Sequence, residues 1–246
     1  WVLHRLFELN QLIRTNCNVY EFSRVFTAIH NFCTLELSAF YFDIRKDVLY
    51  CDGATDTRRR AARTVLDHLF HCLTAWLAPM LVFTAEETWL TRYPGDDSSV
   101  HLRQFPDIPA EWENGALMDR WFSIRAFRRV VTGALEVERR EKRIGASLQA
   151  APTVHVSAEF KALLDEFDLA DICITSGVTL STDPAPEAAF TLEEVSDVAV
   201  VPALAEGEKC QRCWKVLEEV GSHEKYDDLC NRCADVVDAL PLEVEA

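Results

Sequence analysis

Two Cys-x-x-Cys pairs stand sixteen residues apart in the stretch CQRCWKVLEEVGSHEKYDDLCNRC (210 to 233), and they leave that segment few ways to fold. Each pair sets two sulfurs on one tight turn, and four thiolates make the tetrahedral donor set that Zn²⁺ takes in structural sites. The gap falls within the range of paired Cys-x-x-Cys zinc sites. Cys210, Cys213, Cys230 and Cys233 are therefore read as the ligands of one zinc ion. With every position filled by protein, no place remains for water or substrate, so the metal is structural and not catalytic. So short a segment buries too little apolar surface to fold alone, and metal binding stands in for a core. A redox dithiol would be expected beside a βαβ pattern, which neither pair has. His223, the other soft donor in the gap, is surplus to four thiols.

The remaining cysteines, Cys17, Cys33, Cys51, Cys72 and Cys173, are scattered singly, mostly in apolar segments, where free Cys packs as a small hydrophobe. Their odd total fits a reducing compartment, and a cytoplasmic address is expected. The longest apolar run, LTAWLAPMLVF (73 to 83), is broken by Pro79 and is shorter than the roughly 20 residues of a membrane-spanning helix. No membrane contact is expected, and the chain is expected to be a monomer. Because the sequence starts inside a helical pattern without Met or a leader, it is expected to be part of a longer protein. A net charge of −15 disfavours indiscriminate nucleic-acid binding, so any such partner must meet a local basic patch.

Apolar residues keep helical spacing from Trp1 to about Phe22 and again from Phe22 to Ile44. After the turn cluster CDGATD, Arg58 to Leu77 resumes the same period. Thr84 and Glu87 stand at capping-box spacing, which predicts a short helix from Thr84 to Pro94. A further helix carries Trp121, Ile124, Phe127, Val131 and Leu135 to about Arg143. Beyond Gly145 the short runs TVHV (153 to 156), DICIT (171 to 175), AFTL (189 to 192) and VAVV (198 to 201) read as strands, with a helix over 159 to 167. The expected fold is mainly α: an antiparallel helical bundle over 1–147, a small mixed α/β subdomain over 148–205, and a four-cysteine zinc ribbon over 206–246.

Between Asp119 and Ser147 there are eight Lys or Arg and four Asp or Glu, a local excess of four positive charges. Arg125, Arg129, Arg140 and Arg143 fall near multiples of the helical turn and share a face, with Arg128 and Arg139 adjacent and Lys142 beside Arg143 at the exit. A basic stripe along a phosphate backbone and a solvated face with Glu136–Arg140 pairing are both open. Arg212, Trp214 and Lys215 flank the first cysteine pair, where a ring between cations suits stacking on an unpaired base or merely covers the ribbon. RRRAAR (58 to 63) is a cationic helix start that suits solvent or RNA. His68, His71 and Cys72 share one helix, and packing explains them more simply than a metal. No Gly-rich phosphate loop, Ser/His/Asp set or HExxH is present, so no catalytic residue is proposed.

The strings HNFCTLELSAFYFDIRKDVLY (30 to 50), APMLVFTAEETW (78 to 89), EVERREKRIGASLQA (136 to 150) and CQRCW with CNRC resemble the C-terminal region of bacterial isoleucyl-tRNA synthetases over essentially the whole chain. The terminal cysteines separate that family from its valyl and leucyl relatives. The resemblance implies a bundle that holds the anticodon stem and loop of the tRNA for isoleucine, a junction subdomain, and a zinc-bearing terminus completing the contact. It maps zinc to the four paired cysteines and an anticodon-loop contact to Trp214. The HIGH and KMSKS motifs of the class I catalytic domain are absent from this sequence, so the chain alone is expected not to activate isoleucine and to work with the rest of the synthetase chain. A zinc-ribbon DNA-binding module or a helical interaction scaffold is the alternative. It is disfavoured because 234 to 246 is acidic where a DNA reader carries a basic helix.

Overall fold

A computed structural model describes residues 1–240, so the last six residues of the cysteine module lie outside the described residues. The protein is mainly helical, with a small mixed sheet and a four-cysteine cluster. It divides into two compact units, one formed by Trp1–Asp43 with Thr57–Met118, the other by Ile44–Asp56 with the chain from Asp119 onward.

The first unit opens with α1 (Val2–Asn18), which ends where Tyr20 turns left-handed at φ 61°. Helix α2 (Phe22–Asn31) runs into a π-helical stretch, Phe32–Tyr41, and then into α3 (Phe42–Cys51), which from Ile44 onward belongs to the second unit. The widened turn brings Phe32 and Leu37, five residues apart, into burial together, which a 3.6-residue period does not anticipate. Helices α4 (Thr57–Leu77) and α5 (Val82–Arg92) complete the unit. Its core gathers Leu6, Ile13, Val25, Ile29, Phe32 and Trp76. The capping box at Thr84 does not form: α5 starts two residues earlier. Glu86, rather than Glu87, reaches across to accept the Val100 N–H at 2.8 Å.

In the second unit, α6 (Gly115–Arg140), from Asp119 onward, lays Ile124, Phe127, Val130, Val131, Ala134 and Leu135 against a four-stranded sheet. The strands are β1 (Thr153–Val156), β2 (Thr179–Ser181), β3 (Phe190–Leu192) and β4 (Val195–Val201), in the order β2-β1-β4-β3. β1 and β2 are parallel and the other pairs antiparallel. The parallel pair needs a crossover, supplied by α7 (Ala158–Leu164) and α8 (Leu169–Cys173). Here the expected strand at 171 to 175 is instead the end of α8, up to Cys173, and the turn that follows it. The Asp168 carboxylate caps α8 by accepting the Asp171 N–H at 3.0 Å, and Ile174 closes it in the left-handed region. A cap at each end outweighs the β-branched composition. Gly133 lets α6 approach β3, since a Cβ there would meet the Phe190 ring at 3.0 Å.

Phe127 is fully buried between α6, the sheet and Phe160. Phe127→Ala should cost about 3–5 kcal/mol, read as a lower urea midpoint.

Candidate metal centre and nucleic-acid interface

The cysteine module is built from β5 (Glu208–Lys209), β6 (Val216–Leu217) and α9 (Asn231–Asp238). β5 and β6 pair as an antiparallel hairpin whose tip is the first cysteine turn. Within it, the Cys210 N–H donates to Lys215 O and the Trp214 N–H to Cys210 O, each at 2.9 Å. The second pair is placed differently, with Cys230 at the N-cap of α9 and Cys233 in its first turn. Thiolates there face the positive end of the helix dipole. The Gln211 N–H donates to Asp228 O at 3.0 Å and ties the two turns together.

All four cysteines are buried, and their sulfurs lie within 4.8 Å of one another. Sulfurs bound at about 2.3 Å around one tetrahedral Zn²⁺ stand about 3.8 Å apart. Cys213 Sγ and Cys230 Sγ are separated by 3.8 Å. Without a cation, Cys213 and Cys230 resist ionisation: a hydrogen bond with Cys233 and then burial push Cys213 up to about 12, and burial pushes Cys230 up to about 11. A divalent cation reverses that preference by stabilising the thiolates. The donor set and its spacing thus fit one structural zinc. Among the described residues this is the metal-capable group. His68 instead packs edge-on to Trp112, His71 bonds to the Tyr93 hydroxyl, and Cys72 is core.

Sequence inspection missed Gly207. At φ +102° it begins the hairpin, and a Cβ there would fall 2.3 Å from the backbone of Leu217. An isolated Gly carries no signal by itself; the hairpin register creates the need.

The cations near the first cysteine turn divide sharply. Arg212 donates to Cys51 O at 2.6 Å and Tyr50 O at 3.1 Å, the last carbonyls of α3. Lys215 is turned inward and bonds Asp171 at 2.7 Å, both largely buried. Burial opposes its charge, yet Asp171 prevails and holds Lys215 above the usual lysine range. Arg212 and Lys215, expected to flank a base, therefore fasten the ribbon to α3 and α8. Arg232 on α9 adds a fork onto Asp47 and reaches Asp52 at 3.0 Å. Trp214 is the opposite case. It is 60% exposed, whereas Trp76 and Trp89 are buried. Its backbone lies at φ 66°, where a bulky residue costs roughly 1–3 kcal/mol. Lys209, also missed in the sequence, sets its ammonium 5.4 Å from the indole centre.

On α6, Arg125 is half-buried and Arg128 donates to Ile172 O at 2.8 Å, so these two belong to the packing of the unit. Arg129, Arg139, Arg140, Lys142 and Arg143 are exposed. Arg139 pairs with Glu136, Arg140 with Glu141 at 3.7 Å, and Arg143 doubly with Glu138 at 2.6 and 2.7 Å. Lys142 sits at φ 59° where α6 stops. The Arg143 N–H reaches Glu138 O and the Lys142 N–H reaches Arg139 O, a Schellman turn with Lys where Gly is usual.

A helical unit followed by a metal ribbon matches two family models. The "Anticodon-binding domain of tRNA ligase" spans residues 1–155, and the "Zinc finger found in FPG and IleRS" spans 207–236. The chain belongs to the family of anticodon-binding domains of tRNA ligases. It is 59% identical over 95% of its length to an isoleucine–tRNA ligase of Ruegeria pomeroyi, and 54% identical over 95% to that of Agrobacterium fabrum. It is also 48% identical over 97% to that of Mesorhizobium japonicum. The chain spans 24% of the length of each of these relatives.

Cys213→Ser should abolish zinc retention, measured by elemental analysis, and alter Trp214 fluorescence as the turn loosens. Gly207→Ala should keep the ligands yet lower the thermal midpoint, because the hairpin must open to admit a methyl group.

Proposed function

We propose that this chain is the anticodon-recognising part of an isoleucine–tRNA ligase, and that the ATP-dependent attachment of isoleucine is carried out elsewhere in a longer polypeptide. On this reading the chain is inactive alone, cytoplasmic and monomeric, and its partners are the tRNA for isoleucine and the rest of the ligase. Residues 1–147 hold the anticodon stem, 148–205 form a junction, and 206–246 complete the contact at the loop. Membership of the anticodon-binding family and the identity of the relatives support it. No helix among the described residues is long and apolar enough to cross a membrane.

The observation that carries the reading is Trp214: an exposed ring in a strained backbone position, with Lys209 beside it, directly after a metal ligand. A ring so placed adds little to the ribbon's core, and a residue without a Cβ would hold that backbone at less cost. It has the chemistry of a platform for an unpaired base, with Lys209 near the phosphate. Along α6, the exposed Arg129, Arg139, Arg140, Lys142 and Arg143 would follow the backbone of the stem.

The test is a titration of tRNA bearing the isoleucine anticodon against one bearing a different anticodon. Trp214→Ala should weaken the former by about tenfold to a hundredfold, as expected for loss of one stacked base. Zinc content should stay at one per chain. Unchanged affinity with an earlier melting transition would assign the ring to the ribbon's own stability.

A further inference from the structure

At the cationic start of α4, Arg60 and Arg63 stand exposed. Four arginines fall within the first seven residues of this helix, and its first turn holds no acidic residue. The positive end of the helix dipole and the arginines' mutual repulsion both disfavour that arrangement. Arg60, Arg63, Thr64, Asp67 and Phe70 recur at helical spacing and, with Arg92 of α5, line an open groove of about 600 Å³. Asp67 is the carboxylate that Arg63 would meet at i+4, but it is engaged by Arg92, whose guanidinium also lies 4.8 Å from the centre of the Phe70 ring. Arg60 and Arg63 are exposed, and among the described residues no ion pair or side-chain hydrogen bond joins either of them to a carboxylate. The groove thus holds three guanidinium groups against one carboxylate in a chain of net charge −15.

We propose that Arg60 and Arg63 form a second phosphate contact of this chain, gripping the tRNA backbone in the first unit independently of the α6 cations and Trp214. The inference rests on the tRNA-binding reading above. Guanidinium forks match phosphate oxygens, and two arginines at i and i+3 reach neighbouring phosphates, while the Thr64 hydroxyl beside them donates to Arg60 O at 3.0 Å.

Affinity of the 246-residue chain for tRNA bearing the isoleucine anticodon, measured across salt concentration, tests it. Arg60→Gln with Arg63→Gln should make the plot of log K against log salt shallower by roughly two, about one per lost phosphate contact. Arg60→Lys with Arg63→Lys should retain the slope. Zinc content should be unaltered, and the Gln pair should melt no lower than wild type, because it relieves repulsion at a helix start. An unchanged slope in the Gln variant, with normal wild-type binding, overturns this inference alone. A wild-type chain that does not bind the tRNA overturns the underlying reading and this inference with it. Displacement of tRNA by inorganic phosphate at matched ionic strength would mark an isolated anion pocket and also overturn the backbone contact.

Discussion

Four buried thiols at mutual distances below 4.8 Å are the constraint from which the cysteine module is built. As neutral groups they supply little cohesion, and as thiolates they repel one another unless a divalent cation is among them. The hairpin and the first turn of α9 exist to bring two sulfurs each to that point. The module is then fastened to its own unit by Arg212 on the end of α3, Arg232 on Asp47 and Asp52, and Lys215 on Asp171. Metal and clamps together hold the backbone of Trp214, so a flexible surface residue becomes a positioned one.

Positive charge is divided between two uses in this unit. Arg128, Arg212, Lys215 and Arg232 point inward and satisfy carbonyls or carboxylates, where a partner lost would leave a costly buried group. Arg129, Arg139, Arg140, Lys142 and Arg143 point outward, and most of their ion pairs are solvent-exposed and contribute little to stability. An acidic chain can in this way carry a basic strip, because the field that a polyanion meets is set within about a Debye length.

Two of the outward residues occupy backbone positions that favour glycine: Lys142 where α6 ends and Trp214 after the first cysteine turn. Each side chain is held there at a cost that neither turn requires. In both places the side chain is of a type that meets nucleic acid, cation or aromatic ring. Strain and exposure coincide on the same surface chemistry.

The sequence by itself determined the zinc ligands and the helical and mixed parts of the fold, whereas it left Trp214 open between an exposed ring and a cover for the ribbon. The first two rest on local features: two residues between cysteines, 3.6 between buried side chains, two along TVHV and a continuous apolar run in VAVV. The sequence did not show that DICIT closes α8, that Phe32–Tyr41 winds as a π-helix, or that Gly207 must lack a Cβ. Nor did it separate Lys215 from Lys209, two lysines of one hairpin. Only the tertiary structure decided which of them is buried against Asp171 and which lies beside the indole, because the partners that select between charges come from α8 and from the end of the first cysteine turn. Spacing along the chain records which face a residue takes, while the use of a charge depends on what packing brings within about 3 Å of it.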